Sequence, residues 1–208
     1  MGRTRRGVDG AGRSPDLGRR EEDPVGREER VASREVFAGR ILRVRDDEVR
    51  LVPGGRLTRR EVVEHPGAVA IVAVSPDQSV VLVRQYRYAA GQALLEIPAG
   101  TLRPGEDPAA CAERELAEET GAQVLSLEPL ATLFVSPGFC TERVHLYLAR
   151  LGQVAAGDPH PDEDERLEVV VLPLEEALAM VRDGRLPDAK SAAGLLLARD
   201  RLDAEARC

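Results

Sequence analysis

The chain is poor in the residues that build disulfide frameworks, aromatic binding surfaces and membrane spans. It has no tryptophan, and phenylalanine and tyrosine occur three times each among 208 residues. Its three cysteines, Cys111, Cys140 and Cys208, show neither paired nor CxxC spacing, so neither a disulfide framework nor a zinc site is indicated. No apolar run approaches the roughly 20 residues of a membrane-spanning helix. These absences favour a protein that is not embedded in a membrane.

Positive charge is also in short supply. Lysine and arginine total 29 residues against 36 aspartates and glutamates, which gives a formal net charge of −7 at pH 7. An acidic chain offers no general electrostatic attraction for nucleic acid. We therefore expect no nucleic-acid partner and a soluble, cytoplasmic protein. Lys190 is the only lysine, a bias that we attribute to coding composition and from which we draw no function.

The N-terminal part of the chain divides into two segments of different composition. Residues 1–30 are rich in Arg, Asp, Glu and Gly and bury too little apolar surface to offset ordering entropy, so we predict a disordered tail. The tail has no apolar stretch of the kind found in signal peptides, which disfavours a targeting presequence. Residues 31–65 contain β-rich runs on both sides of Pro53-Gly54-Gly55, a hairpin signal. We expect a small N-terminal β subdomain there.

Residues 66–208 alternate strand and helix patterns. The run from Ala68 to Val74 is continuously apolar, as expected of a strand buried on both faces. Strands are also predicted at 80–83, 94–97, 124–134 with a break at Pro129, 143–151 and 167–172, and helices at 109–119, 174–183 and 188 to about 202. This pattern predicts an α/β domain with a mixed β-sheet flanked by helices.

The stretch from Gly100 to Ala122 is predicted to form a loop followed by a helix with a defined end. Asp107 stands where a helix N-cap belongs, and Pro108 suits the first helical position, where its missing N–H costs nothing. Gly121 is placed to end the helix in a left-handed conformation. The sequence therefore fixes both ends of this helix.

Three carboxylates share one face of that helix, because Glu115, Glu118 and Glu119 are spaced three and four residues apart. Such like charges weaken a helix unless a cation lies among them. Clustered carboxylate oxygens are the hard ligands that Mg²⁺ or Mn²⁺ prefers. Arg114 is placed to brace Glu118 one turn further on. The plain alternative is a solvated acidic helix face.

The spacing of this stretch resembles the Nudix box. The pattern is Gly100, five residues, Glu106, seven residues, and then Arg-Glu-Leu-Ala-Glu-Glu-Thr-Gly-Ala over 114–122. It matches the family at every defining position except the last, where the family has an aliphatic residue and this chain has the small Ala122. Because the match is specific, we favour a metal site over a solvated acidic face. The resemblance implies the α/β/α Nudix sandwich over residues 66–208 and the hydrolysis of nucleoside diphosphates linked to another moiety.

The resemblance also implies roles for residues of the box. It implies that Glu115, Glu118 and Glu119, with the backbone carbonyl of Ala99, hold Mg²⁺, with Mn²⁺ as the alternative. It places Glu106 and Arg114 in support, so that Arg114 and Glu118 are counted with the catalytic residues.

Features outside the box resemble the ADP-ribose (ADP-sugar) pyrophosphatase group of this family. These features are Pro137, sixteen positions beyond Gly121, the segments 60–65 and 85–87, and the acidic loop 162–165. This resemblance implies that Arg60 and Arg87 bind phosphate, that Glu142 meets the terminal ribose, and that Glu163 or Glu165 is the general base. It also implies a homodimer with exchanged N-terminal strands and a nucleotide-sugar substrate.

Several alternatives stay open at this point. Arg60 and Arg87 are also suited to structural ion pairs, and loop 162–165 is equally consistent with a solvated charge run. The leading hypothesis is hydrolysis of ADP-ribose to AMP and ribose 5-phosphate. The rivals are another nucleoside diphosphate sugar, NADH, a dinucleoside polyphosphate or a nucleoside triphosphate as substrate, and a Nudix domain that senses ADP-ribose without cleaving it. The intact glutamates disfavour a sensor, since sensors usually lose them.

Overall fold

The structure is a computed structural model that describes residues 26–152 and 166–207. The described chain separates into two compact units. The smaller unit contains residues 26–33 and 47–60, and the larger contains 34–46, 61–152 and 166–207. None of the helices in these ranges has the length and hydrophobicity needed to cross a membrane.

Three strands at the N-terminal end form a sheet in the order β1 (Arg27–Ala38), β2 (Arg43–Val52) and β3 (Leu57–Glu64). The turn between β2 and β3 lies at Pro53-Gly54-Gly55, as the sequence predicts. There the N–H of Gly55 donates to the Leu51 carbonyl at 2.8 Å, and both glycines have positive φ.

Strand β1 begins earlier than the sequence analysis predicted, so residues 27–30 are not part of a disordered tail. Polar contacts between strands account for the difference. Arg60 Nε donates to Glu28 Oε2 at 3.0 Å, and Ser33 Oγ donates to Asp47 Oδ1 at 2.6 Å. Apolar content, on which the prediction relied, does not register such contacts.

A mixed seven-stranded sheet forms the centre of the larger unit. Its strands are β4 (Ala68–Val74), β5 (Ser79–Arg87), β6 (Gln92–Glu96), β7 (Ala99–Thr101), β8 (Val124–Phe134), β9 (Arg143–Leu151) and β10 (Leu167–Pro173). The order is β10-β5-β4-β9-β8, with β6 paired to β5 and β7 paired to β4. The pairing of β4 with β9 is parallel, and the other pairings in this sheet are antiparallel.

Helices cover both faces of this sheet, and alternate residues of β4 point to each face. Val69 and Ile71 pack against helix α1 (Pro108–Thr120), whose Leu116 is fully buried. Ala70 and Val72 pack on the other side against helices α2 (Leu174–Arg182) and α3 (Ala189–Ala206). Cutting Leu116 back to alanine would cost about 2–5 kcal/mol of stability. The predicted α/β/α sandwich is confirmed.

Most predicted elements lie where the sequence placed them, but two features went unpredicted. Strand β7 is only three residues long, and a short 3₁₀ turn at Tyr88–Ala90 follows β5. The break expected at Pro129 is a shift in the register of β8 between Pro129 and Ala131, and the strand continues through it.

Candidate active site

The loop and helix of the box have the local structure that the sequence dictates. Asp107 accepts hydrogen bonds from the N–H groups of Ala109 and Ala110 at 2.9 and 3.1 Å, and Pro108 opens the helix. Gly121 ends it at φ 65°, where its N–H donates to the Ala117 carbonyl at 2.9 Å. The helix is therefore fixed at both ends, and this fixes the positions of the glutamates along it.

One guanidinium lies among three of the box carboxylates. Arg114 Nε donates to Glu106 Oε1 at 3.0 Å, and Arg114 Nη1 lies 2.7 Å from Glu115 Oε1 and 2.9 Å from Glu118 Oε2. The hydrogen bond from Arg114, together with one from the Arg103 N–H, lowers the pKa of Glu106 to about 2. Glu106 is therefore ionised at neutral pH and anchors Arg114 within the cluster.

Gly100 and Glu119 are both closely packed in this site. Glu119 is only 3% exposed and accepts a hydrogen bond from the Ala99 N–H at 3.2 Å. A Cβ on Gly100 would lie 1.9 Å from Glu115 Cδ. The box therefore needs glycine at position 100, since any side chain there would displace Glu115.

A cavity of about 950 Å³ opens over these groups in the larger unit. Strands β5 and β7 and helices α1 and α3 all contribute to its walls. It brings together seven residues that the sequence analysis selected: Arg87, Ala99, Arg114, Glu115, Glu118, Glu119 and Glu142.

The chemistry of the donor set fits a hard divalent cation. Glu115, Glu118 and Glu119 supply carboxylate oxygens, the ligand type that Mg²⁺ and Mn²⁺ prefer. Within residues 26–152 and 166–207, no three acidic, His or Cys side chains are already grouped as ligands of one ion. Arg114 contacts Glu115 and Glu118. A metal ion held by these two side chains would compete with the guanidinium.

A second group of charged residues at the cavity, Arg87 and Lys190, is held by a buried carboxylate. Glu96, 1% exposed, accepts from Arg87 Nε at 2.8 Å and from Arg87 Nη2 at 2.9 Å, and also binds the ammonium group of Lys190. Burial alone would raise the pKa of Glu96, but the hydrogen bonds from Arg87 and the charge of Lys190 outweigh it, so the pKa is lowered. Glu96 and Lys190 were not predicted as site residues from the sequence, although a lone lysine at the start of a helix was an available signal.

The remaining predicted residues have other surroundings. Arg60 is hydrogen bonded to Glu28 within the smaller unit and does not line the cavity. Glu142 lies at the cavity wall with its Oε1 3.8 Å from His65 Nδ1. Glu163 and Glu165, the two predicted bases, lie outside the described residues.

A family model and several known proteins match this chain over most of its length. A family model described as the NUDIX domain matches residues 64–194. The "Methanol dehydrogenase activator" of Bacillus methanolicus is 40% identical over 164 residues, which cover 79% of this chain and 88% of the relative. The "ADP-ribose pyrophosphatase" of Bacillus subtilis (strain 168) is 39% identical over 165 residues, with coverage of 79% and 89%.

A solved structure extends the match to the fold. The "Crystal structure of ADP compounds hydrolase" superposes with a TM-score of 0.74 at 24% sequence identity, covering 87% of this chain and 97% of that chain. Together with the box geometry described above, these matches show that the chain belongs to the Nudix family.

Proposed function

We propose that this Nudix enzyme hydrolyses the pyrophosphate bond of ADP-ribose to AMP and ribose 5-phosphate, with Mg²⁺ as its metal ion. The main support for this proposal is that three glutamates of the box and the cationic Arg87 line one cavity. The three are Glu115, Glu118 and Glu119. The name of the Bacillus subtilis relative supports ADP-ribose as the substrate. The name of the Bacillus methanolicus relative describes an effect on another enzyme and names no competing reaction.

In this proposal the metal ion is held by the acidic wall of the cavity, the side formed by the glutamates of helix α1. Glu115, Glu118 and Glu119, with the carbonyl of Ala99, are the ligands. Bound there, a divalent ion neutralises pyrophosphate charge and lowers the pKa of a coordinated water. Arg114 keeps its bond to Glu106 while it releases the other carboxylates.

The reaction is the attack of water on one phosphorus of the bridge. A bond forms between the water oxygen and phosphorus, and the bond from that phosphorus to the bridging oxygen breaks. A general base removes one proton of the water, and the second stays on the new phosphate. We assign the base to Glu163 or Glu165, since a carboxylate can take the proton of the attacking water.

Substrate binding is assigned to three further residues. Arg87 contacts the diphosphate, because a guanidinium can bind phosphate oxygens in bidentate fashion. Glu142 contacts the terminal ribose. Arg60 contacts phosphate in the homodimer, in which the N-terminal strands are exchanged between subunits.

Exposed apolar side chains on the N-terminal strands and the turn between β1 and β2 support the homodimer. They are Val31, Val36, Phe37, Ile41 and Leu42, each between 38% and 57% exposed. Clusters of exposed large apolar residues mark association surfaces. Light scattering that gave a fully active monomer would contradict this assembly. We place the enzyme in the cytoplasm.

The experiment that tests the reaction is a substrate panel. Products from ADP-ribose, ADP-glucose, GDP-mannose and ATP are measured with Mg²⁺ and with EDTA. We expect ADP-ribose to have the highest kcat/KM, ATP to be nearly inert, and EDTA to abolish turnover. If GDP-mannose or ATP exceeds ADP-ribose tenfold, the assigned substrate is wrong. If the panel is inert but ADP-ribose binds, the protein is an ADP-ribose sensor.

A further inference from the structure

We call Arg87 and Lys190, with the Glu96 that they share, the cationic wall of the cavity. In this group two cations share one carboxylate. A single buried carboxylate, Glu96, binds two cations at once, Arg87 through both of its oxygens and Lys190 through Oε2. An arginine and a buried glutamate alone would form a neutral pair. With the ammonium group added, the three side chains carry a net positive charge.

A second carboxylate near Lys190 reduces that net charge. Asp188 lies 2.9 Å from the ammonium nitrogen, but it is also the N-cap of helix α3. It accepts hydrogen bonds from the N–H of Ser191 at 3.0 Å and from the Ser191 hydroxyl. The partial positive charge at a helix N-terminus offsets part of the charge of a carboxylate in this position. The ammonium group of Lys190 is therefore shared between Asp188 and Glu96.

Arg87 and Lys190 both line the cavity, and Arg87 is the more exposed of the two. The side chain of Arg87 is 37% exposed, that of Lys190 is 20% exposed and that of Glu96 is 1% exposed. Glu96 uses Nε and Nη2 of Arg87, and Nη1 has no hydrogen-bond partner within the described ranges. A donor of the guanidinium is thus left for a ligand while Glu96 keeps the group in place.

We propose that Lys190 is a positioning residue that neutralises buried Glu96, so that the positive charge of Arg87 is available to the diphosphate of the substrate. This inference rests on the proposed function in that a diphosphate must occupy the cavity. Without Lys190, Arg87 would be the sole counterion of Glu96, and the phosphate would meet a neutral pair. Leaving a buried carboxylate poorly paired is strongly unfavourable.

The test compares single and double variants by steady-state kinetics with ADP-ribose. Lys190→Met should raise KM about tenfold or more and leave kcat within about threefold, as expected for lost binding. Lys190→Arg keeps the charge and should keep KM near the wild-type value. Lys190→Met combined with Glu96→Gln should return KM to within about threefold of wild type, because no unbalanced buried charge is left. Arg182→Met, an exposed cation on α2, is the control.

Two outcomes would overturn the proposal. One is an unchanged KM in Lys190→Met. The other is a double variant as weak as that single variant, which would mean that Lys190 contacts the substrate itself. Urea unfolding identifies any variant that does not fold, and Lys190→Gln replaces Lys190→Met in that case.

A second measurement separates this proposal from the proposed function. Calorimetric titration with ADP, without metal, should show the same order of affinities. Wild type and Lys190→Arg should bind ADP with similar affinity, Lys190→Met should bind it about tenfold more weakly, and the double variant should bind it nearly as well as wild type. If this order appears while ADP-ribose is not hydrolysed, the role of Lys190 stands and the proposed reaction fails. If ADP-ribose is hydrolysed and all four proteins bind ADP equally, the role of Lys190 is wrong.

Discussion

The two walls of the cavity use opposite charge arrangements. On the acidic wall a single guanidinium, Arg114, is shared among the carboxylates of Glu106, Glu115 and Glu118. On the cationic wall a single carboxylate, Glu96, is shared between two cations. The acidic wall therefore has an excess of negative charge, whereas Lys190 on the cationic wall is shared between Glu96 and Asp188.

This difference shows how one cavity can suit a metal ion and a diphosphate together. The acidic excess attracts a divalent cation, and the cations Arg87 and Lys190 attract phosphate oxygens. On the acidic wall Glu118 is 40% exposed and Glu119 only 3% exposed, and on the cationic wall Glu96 is 1% exposed. Each wall therefore contains a buried carboxylate.

The largest expected effect comes from removing a ligand on the acidic wall. Glu119→Gln should lower kcat by on the order of 10²-fold or more, because a catalytic metal supplies several kcal/mol of transition-state stabilisation. Glu113→Gln is the matched control, since Glu113 is exposed on the same helix. A folded Glu119→Gln enzyme with the wild-type rate would show that Glu119 does not hold a catalytic metal ion.

A backbone change on the same wall should have the next largest effect. In Gly100→Ala the new methyl group would fall 1.9 Å from Glu115 Cδ, so Glu115 must move. We expect kcat/KM to fall about tenfold or more, because small displacements of catalytic groups are costly. Gly152→Ala, where the new methyl group meets only one atom, at 4.0 Å, serves as the control. Equal activity of the two variants would show that Glu115 is not needed where it lies.

The cationic wall should affect binding more than turnover. Arg87→Ala should raise KM about tenfold with a smaller change in kcat, since a phosphate contact acts in the ground state as well as in the transition state. Arg84→Ala is the control on the same strand, because Arg84 is exposed and pairs with Glu168 at 3.2 Å. A fall in kcat at constant KM would assign Arg87 to the chemical step instead.

The smallest effect concerns the stability of the acidic wall at low pH. The pKa of Glu106 is lowered from 4.5 to about 2 in the folded protein, so its contribution to stability is full above pH 4.5 and is lost as pH falls towards 2. The stability of wild type should therefore fall towards that of Glu106→Gln as pH falls from 4.5 towards 2. Urea unfolding midpoints of both proteins at several pH values measure this change. A stability difference that stays constant at all pH values would contradict the lowered pKa of Glu106.

The acidic wall could be predicted from sequence, because its residues are close together along the chain. Helix periodicity places Glu115, Glu118 and Glu119 on one face, and the caps at Asp107 and Gly121 fix the ends of the helix. The strand at Ala68–Val74 and the layered fold followed in the same way from continuous apolar residues.

The cationic wall could not be predicted, because it depends on tertiary contacts. Glu96 and Lys190 are 94 residues apart and meet only because α3 packs beside the sheet. The sequence analysis selected Arg87 as a phosphate ligand but had no means of finding its partner. The parallel pairing of β4 with β9 was hidden for the same reason, since no local pattern encodes it.

Direct measurement of metal binding tests the central claim, that the acidic wall holds a divalent ion. Mn²⁺ is titrated into wild type, Glu119→Gln and Glu113→Gln, and the free ion is followed by electron paramagnetic resonance. We predict that wild type and Glu113→Gln bind Mn²⁺ alike, while Glu119→Gln binds about tenfold more weakly or worse. Equal binding by all three proteins would contradict the account, because the ion would then be held elsewhere.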